Sequence, residues 1–449
     1  MDSKQQEKRV YMTTAPVRGL VLRMAVPTII SMLITNIYNM ADTFFVGKLG
    51  TSATAAVGVV FPLMSVIQTF GFFFGHGSGN YISRAMGSQK MEDAEQMAAT
   101  GFGSSFLFGL LLMIVGLLFQ EPLARLLGST DTILPYAREY MSVILIGAPF
   151  MASSLTLNNQ LRFQGSAFFG MIGITTGGIL NILLDPLFIF VFDMGISGAA
   201  WATVVSQMVS FVILLIMTRA GGNIRIRLRR YSLKDVYWKE IFRGGTPSLC
   251  RQGLASVATV CLNLAAKPYG DAAIAAMSIV SRIMNFASSA LIGLGQGFQP
   301  VCGFNYGAGL YKRVREAFWF CVKVGSAAAL VFAVVGFCFS GNLVEIFRKG
   351  DAEVIRIGAE AMRFQCITFP FTAWVTISNM MMQNLGMVFK ASYLSMTRQG
   401  LFFIPLVFLL NLCLGLTGIE MAQPASDLLT FVTSVPLQLG VLRKFDRQT

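Results

Sequence analysis

Residues 181–190, Asn181-Ile182-Leu183-Leu184-Asp185-Pro186-Leu187-Phe188-Ile189-Phe190, place a carboxylate inside a long apolar run. The run extends over residues 168–191 and is long enough to cross a bilayer as a helix. A carboxylate at the centre of such a helix costs on the order of 2.5–3.5 kcal/mol to insert. Asp185 should therefore face other helices, and Asn181, four residues earlier, points from the same helix face.

The composition is that of a polytopic membrane protein. Hydrophobic residues make up 54% of the chain, charged residues 13%, and the mean hydropathy is +0.63. A soluble chain is usually about a quarter charged. The first apolar run is too long for a signal-peptide core of about 7–15 residues, so we expect it to remain as a first span. The seven cysteines lie in apolar segments without CxxC spacing, which indicates core residues and neither disulfides nor a zinc site.

Apolar segments of spanning length, about 20 residues each, predict an all-α protein with twelve transmembrane helices. We place them near residues 18–46, 53–85, 93–119, 134–163, 168–191, 196–218, 241–265, 272–304, 315–340, 354–386, 388–412 and 420–442. The resulting division is an N-terminal tail (1–17), an N-lobe (18–218), a basic linker (219–240), a C-lobe (241–442) and a C-terminal tail (443–449).

The two sets of six spans repeat each other. At a shift of 220 residues, with one extra residue in the middle, the matched pairs include Pro27 and Pro247, Gly50 and Gly270, Gly165 and Gly386, and Gly195 and Gly415. An even number of spans per repeat gives both lobes the same orientation. We therefore predict two parallel six-helix bundles with a substrate site between them.

The net charge of +13 could indicate nucleic-acid binding, but the positions of the charges favour a membrane. With the N-terminus inside, roughly 23 Lys and Arg fall on the cytoplasmic side and roughly 7 outside, as the positive-inside rule requires. In the linker, Ile224-Arg225-Ile226-Arg227 alternates. We expect this segment to lie on the anionic inner leaflet, with a nucleic-acid or partner-binding role as the alternative.

Five polar side chains of the N-lobe are expected close to one depth. At 1.5 Å per residue, Asp42, Tyr140, Asp185 and Thr203 come roughly 6–11 Å below the outer surface, with Asn181 one turn deeper. Two carboxylates in a low-dielectric site cannot both be ionised cheaply, so the pair could exchange a proton. Alternatively, oxygens of Asp42, Asn181, Asp185 and Thr203 could coordinate sodium. The competing interpretation is interhelical hydrogen bonding without ion coupling.

Further candidates are prolines that bend helices and polar residues of the C-lobe. Pro27 and Pro186 remove backbone donors and mark expected hinges. Asp427 aligns with Gln207 and is expected to form an ion pair, a second ion site being the alternative. Its candidate partners are the cations within the C-lobe spans, Arg282, Arg363 and Arg398.

The chain's only histidine lies in Gly75-His76-Gly77-Ser78-Gly79. This stretch resembles a phosphate loop only superficially, because no βαβ unit surrounds it. Small residues at this spacing favour close helix packing, and we expect His76 to be packed, with a proton relay as the alternative. We find no nucleophile–base pair and no metal-ligand cluster, so an enzyme is not expected.

Four motifs follow one another along the chain: Asp42-Thr43-Phe44-Phe45-Val46-Gly47, Asn181-Ile182-Leu183-Leu184-Asp185-Pro186, Gly195-Ile196-Ser197-Gly198-Ala199-Ala200, and Gly295-Gln296-Gly297-Phe298-Gln299-Pro300. Together they resemble the multidrug and toxic compound extrusion (MATE) transporters, and most of all the DinF-like branch with its MepA-type exporters. The resemblance implies two bundles around a V-shaped cavity, drug efflux by proton or sodium antiport, and no cofactor. The N-lobe site of that branch carries over onto Asp42, Tyr140, Asn181, Asp185 and Thr203, and its first-helix proline onto Pro27.

The chain departs from the NorM-like pattern of the same family. Those members place acids in the seventh and tenth spans, where this chain has Arg251 and Arg363 and no central acid. No C-lobe ion site of that type is predicted. The C-lobe cations also leave room for zwitterionic or anionic substrates.

We therefore expect a monomeric antiporter in the cytoplasmic (inner) membrane of a prokaryote, with both termini inside. It would export amphipathic, often cationic drugs in exchange for protons or sodium, contacting membrane lipid and no nucleic acid. The first alternative is an exporter of a lipid-linked precursor, which a cavity lined by several C-lobe arginines would favour. An integral-membrane enzyme and a channel are weaker alternatives, because no catalytic cluster is visible and because repeat proteins with buried carboxylates usually alternate access.

Overall fold

The computed structural model describes residues 3–447, and within them the chain forms helices and no strands. The helices of the first half are α1 (Ser3–Thr14), α2 (Val17–Gly47), α3 (Thr51–Gly87), α4 (Met91–Leu118), α5 (Gln120–Leu126), α6 (Leu134–Phe163), α7 (Ala167–Pro186) and α8 (Gly195–Met217). Those of the second half are α9 (Asp235–Ala266), α10 (Asp271–Gly307), α11 (Tyr311–Cys338), α12 (Ser340–Phe347), α13 (Ala352–Asn384), α14 (Val388–Met396), α15 (Phe403–Leu414) and α16 (Leu416–Asp446).

Two π-helical turns continue the α-helices that precede them. One, Leu187–Val191, extends α7 toward the end of its span. The other, Thr397–Leu401, joins α14 to α15. Such wide turns are frequent at functional sites.

Eleven helical segments within residues 3–447 are long and apolar enough to cross a membrane. The twelfth predicted span is α13, which has 33 residues but a more polar sequence. Its Gln365, Asn379 and Gln383 are buried against neighbouring helices. A helix surrounded by other helices needs less apolar surface than one that faces lipid, and α13 packs against α10, α11 and α16. The predicted all-α, twelve-helix architecture is confirmed.

The internal repeat is visible in the helix bounds. Helices α3 and α10 both have 37 residues, and α4 and α11 both have 28. Each second member begins 220 residues after the first, as the sequence predicted. The short helices α5 and α12 occupy matching places after α4 and α11.

Matched glycines have matched backbone conformations. Gly50 and Gly270 precede α3 and α10 with φ of +110° and +88°. Gly165 and Gly386, which follow α6 and α13, have φ of +78° and +74°. Side-chain-bearing residues rarely adopt such angles, so these turns require glycine. The glycine pairs found in the sequence therefore mark turns of the same geometry in the two halves.

The two halves meet most closely toward the end of the bundle at which α1 lies, which we call the α1 face. There α2 packs against α10, and α3 packs against both α9 and α10. A Cβ at Gly77 would lie 2.4 Å from the Ile241 carbonyl oxygen, and a Cβ at Gly297 would lie 2.3 Å from the Ala25 Cα. The close packing expected of the small residues around His76 is therefore present, and it joins the halves.

The N-terminal tail, to which the sequence assigned no structure, forms α1 and lies across both halves. Lys8 Nζ donates to Ser166 Oγ at 2.8 Å and to Asn223 Oδ1 at 2.6 Å, both in the first half. Asn305 Nδ2, in the second half, donates to the Met12 carbonyl at 3.1 Å. Met12 is 1% exposed. Helix α1 thus fastens the two halves together.

The basic linker packs along the first half. Ile224 is buried and its amide donates to Gln164 Oε1 at 2.6 Å, whereas Arg225 and Arg227 are exposed. Arg230 forms ion pairs with acids of α4. The alternation in the sequence therefore separates an inward from an outward face, and α9 begins at Asp235, six residues before the expected start of the seventh span.

Docking of α1 should strengthen as the pH rises. Burial lowers the pKa of Lys8 from 10.5 to about 7. Between pH 7 and pH 10.5, Lys8 is protonated when α1 is released and neutral when α1 is docked. The equilibrium constant for docking therefore rises by up to about ten-fold per pH unit in this range, and it does not depend on pH below about 7. Hydrogen exchange of residues 3–14, corrected for the intrinsic rate, should slow accordingly.

The control for this measurement lies in the same helix. Lys8→Met should abolish the pH dependence, whereas replacement of the exposed Lys4 in Lys4→Met should preserve it. An equal pH dependence in the Lys8→Met variant would contradict the role of Lys8.

Candidate functional site

Two neighbouring helices hold the polar centre of the N-lobe. Asn181 and Asp185 lie one turn apart on α7, and Thr203 lies on α8. Asn181 Nδ2 donates to Asp185 Oδ1 and to Thr203 Oγ1, each at 3.4 Å. These are long hydrogen bonds, so the amide holds its partners loosely.

Asp42 on α2 and Tyr140 on α6 complete the group. Asp42 lies close enough to Asp185 for the two carboxylates to act on each other electrostatically. The Tyr140 hydroxyl is within range of both and donates to Met64 Sδ at 3.8 Å. The five predicted side chains are therefore gathered in one region of the first half, and their role in ion coupling stays a prediction.

Three oxygens of this group lack a hydrogen-bond donor within residues 3–447. They are Asp42 Oδ1, Asn181 Oδ1 and Asp185 Oδ2, and each is buried. Asp185 is 0% exposed. A buried acceptor without a partner costs about 1–3 kcal/mol, and more when it is charged. Such a set of acceptors suits a proton or a small cation with a preference for oxygen.

The two expected hinges differ in their surroundings. Pro27 is buried within α2, which continues as one helix on both sides of it. Pro186 is the last residue of α7 and leads directly into the π-helical turn that begins at Leu187. A missing donor beside a widened turn leaves backbone carbonyls weakly bound. Whether either proline bends in transport stays a prediction.

Asp427 forms an ion pair with one of its three candidate partners. Arg398 Nε donates to Asp427 Oδ1 at 2.8 Å, and Gln423 Nε2 donates to the same oxygen at 2.9 Å. Arg282, by contrast, is exposed on α10. The side chain of Gln207, the N-lobe counterpart of Asp427, lines the central cavity. This geometry favours the structural ion pair over a second ion site.

A buried arginine on α6 was missed by the sequence analysis. Arg162 is 2% exposed and has no carboxylate partner within residues 3–447. It donates to Gln296 Oε1 and to Asn159 Oδ1, the latter at 2.6 Å, and lies 3.1 Å from His76 Nε2. His76 Nδ1 in turn lies 2.9 Å from Ser248 Oγ. This network connects the halves near the α1 face. In the sequence, the only sign of Arg162 as a buried residue was its position near the uncertain end of a predicted span.

A second missed residue is Glu420 on α16. It is 1% exposed, and its Oε2 lacks a partner within residues 3–447. The charges of Glu360 and Arg356 on α13 act on it. It was overlooked because it stands at the predicted boundary of the last span, where a carboxylate is usually solvated.

A cavity of about 450 Å³ lies between the two halves. Helices of both halves line it, with the exposed Asn39 and Asn285 among its residues and Gln296, 2% exposed, at the end near the α1 face. It is therefore closed toward the α1 face and accessible from the opposite face. Tyr38 lines the cavity and is within range of the Asp42 charge, so the acid group borders it. The volume suits a drug-sized ligand.

Two lobes of one fold, a cavity between them and acids beside it define a membrane transporter. The profile of the MatE family matches residues 27–187 and again residues 247–409, and the chain belongs to the MatE family. The two matches begin at the shift of 220 residues that the sequence predicted. This match confirms the resemblance to MATE transporters. Members of this family are transporters and not enzymes.

Relatives and solved structures agree with this assignment over nearly the full chain. The multidrug export protein MepA of Staphylococcus aureus (strain MRSA252) is 26% identical over 431 residues, which is 92% of each chain. A crystal structure of a MATE in complex with MaL6 covers 100% of both chains with a TM-score of 0.93 and 24% identity. A MOP superfamily transporter from Pyrococcus furiosus, described as having a binding pocket of reverse polarity, covers 97% of this chain and 98% of its own, with a TM-score of 0.90 and 25% identity.

Neutralising Asp185 should stabilise the protein. Asp185→Asn removes a buried charge with an unpartnered oxygen, so we expect the free energy of unfolding to rise by about 1–3 kcal/mol. The measurement is the midpoint of thermal denaturation in detergent. Glu139→Gln, at an exposed position of α6, is the matched control and should leave the midpoint unchanged. A lower midpoint in Asp185→Asn alone would contradict the cost assigned to the unpartnered Oδ2 of Asp185.

Proposed function

We propose that this protein is a secondary active multidrug efflux antiporter that exchanges amphipathic small molecules for protons or sodium. The observation that carries the proposal is the set of unpartnered oxygens of Asp42, Asn181 and Asp185 beside a cavity of about 450 Å³. The name of the Staphylococcus aureus relative, a multidrug export protein, supports the direction and breadth of transport. Organic cations are the substrates that the family resemblance suggests.

The coupling ion would enter at the N-lobe acids. Asp42 and Asp185 repel each other when both are ionised, so binding of a proton or sodium ion there relieves the repulsion. A proton entering down 100 mV supplies about 2.3 kcal/mol. That energy sustains roughly 50-fold accumulation of a substrate against its gradient.

Alternating access would move the two halves against each other. To open toward the α1 face, the protein must break the Arg162–Gln296 hydrogen bond and the His76–Ser248 contact, both of which cross between the halves. The backbone approach of Gly77 to Ile241 must loosen as well. Pro27 and Pro186 are the positions at which α2 and α7 would bend.

The α1 face would be cytoplasmic. This orientation puts the basic linker and both termini inside, in agreement with the positive-inside rule. The cavity as described would then open to the outside, from which protons or sodium enter. We place the protein as a monomer in the inner membrane of a prokaryote, in contact with lipid and without a cofactor other than the transported ion.

Loss of the acid should uncouple export from the ion gradient. In proteoliposomes with an imposed proton gradient or, separately, a sodium gradient, the wild type should move a fluorescent amphipathic drug uphill under one of the two. Asp185→Asn should abolish uphill transport, because a neutral amide cannot bind and release the coupling ion as a carboxylate does. Glu139→Gln should retain uphill transport. Full uphill transport by Asp185→Asn would refute coupling at this site.

A second candidate is export of an acidic, lipid-linked precursor. It is favoured by Arg251 and Arg398, which are the charged residues among those that line the cavity. An assay in vesicles separates this candidate from drug antiport: it measures how much of a fluorescent lipid phosphate in the membrane is protected from a quencher added outside. Rapid loss of protection in the presence of the protein, without any drug transport, would favour this candidate.

A further inference from the structure

The charged residues that line the central cavity are both cationic. Arg251 lies on α9 and Arg398 lies on the π-helical turn between α14 and α15. Among the described residues that line this cavity, none is Asp or Glu. The acids of the first half lie behind Tyr38 and do not form part of the lining. A substrate in the cavity therefore meets positive charge first.

The two arginines lie on segments that pack against each other. A Cβ at Gly400, two residues after Arg398, would lie 2.8 Å from the side chain of Leu254, one turn after Arg251. The π-helical turn places Arg398 at this junction. Two guanidinium groups on adjoining segments can bind one oxyanion from two sides.

The two charges are compensated differently. Arg398 uses Nε for Asp427, and its Nη atoms have no hydrogen-bond acceptor within residues 3–447. Arg251 has no ion pair and no hydrogen bond within the same residues. An arginine within a membrane-spanning bundle is costly and usually marks a substrate or ion path. Arg251 thus has charge and donors to offer to a ligand.

The rest of the cavity lining is mixed, and its apolar side chains supply a surface for the body of a ligand. Phe72, Met151, Ile292, Met380 and Leu394 line it, while amides such as Gln252 and Gln399 stand near the arginines. A ligand that matches this surface has a compact negative headgroup on an apolar ring system. Met and aromatic side chains adapt to several ring shapes.

We propose that the cavity binds acidic amphipathic compounds, with a carboxylate, sulfonate or phosphate headgroup held by Arg251 and Arg398. This inference rests on the proposed function and names its substrate class. It replaces the organic cations suggested by the family resemblance with organic acids. A cation in the same place would face Arg251 without any lining carboxylate to offset it.

The test uses three probes with the same dansyl ring and different charge: dansylglycine (anion), dansylamide (neutral) and dansylcadaverine (cation). Binding to the purified protein in nanodiscs is read from energy transfer out of tryptophan, since Trp374 adjoins the lining residue Val375. Empty nanodiscs give the background. We expect dansylglycine to bind at least ten-fold more tightly than dansylcadaverine.

The variants locate the headgroup. Arg251→Gln should weaken dansylglycine at least ten-fold and leave dansylamide within two-fold, and Arg251→Lys should restore part of the affinity. Arg398 is removed together with its partner, as Arg398→Gln/Asp427→Asn, to avoid leaving a buried unpaired acid. That double variant should weaken dansylglycine as well. Lys323→Gln, an equal charge change at an exposed site of α11, is the control and should change nothing.

Equal affinity for the three probes, tighter binding of the cation, or unchanged dansylglycine binding in Arg251→Gln would overturn this inference. None of these results would touch ion coupling at Asp185, which is measured by uphill transport. Conversely, full uphill transport by Asp185→Asn would refute the proposed coupling and leave the headgroup preference standing.

Discussion

Every polar group placed among membrane-spanning helices must find a partner, because lipid offers none and an unpaired charge there is expensive. The network at Arg162 meets this requirement for both Nη atoms with neutral partners, Asn159, Gln296 and His76, and leaves Nε without one among the described residues. Asp427 meets it with Arg398. Other buried polar atoms of the described residues lack a partner, and those of Asp42, Asn181 and Asp185 lie beside the central cavity, where a transported ion could satisfy them.

The internal repeat makes these exceptions easier to interpret. The halves share helix lengths and turn glycines, yet the positions that correspond to Asp42, Asn181 and Asp185 are Leu262, Leu401 and Pro405. Duplication therefore preserved the scaffold and not the charges. Asp42 and Asp185 lie in the first half, and the arginines that line the cavity, Arg251 and Arg398, lie in the second. The two proposals accordingly assign the ion to the first lobe and the substrate headgroup to the second.

Much of the fold could be predicted because it depends on local signals. Span length and the glycines of turns are properties of short segments, and the 220-residue shift appears when the sequence is compared with itself. That the five polar side chains of the N-lobe lie in one region could be predicted, because depth along a helix follows from residue counting. Their role as a site stays a prediction. Which of three cations pairs with Asp427 depends on how helices rotate and pack, and counting cannot supply that. Arg162 and Glu420 were missed because span ends are uncertain by several residues, and α1 because a twelve-residue helix gains its stability from tertiary contacts.

The contacts of α1 with both halves have a consequence for the order in which the protein folds during synthesis. The Asn305 that binds the Met12 carbonyl is synthesised 293 residues after Met12. At about 5–20 residues per second, roughly 15–60 s pass before that partner exists. Helix α1 can therefore dock on the first lobe through Lys8 before its partner in the second lobe exists. The contact between the lobes through α1 is completed only once synthesis is well into the second.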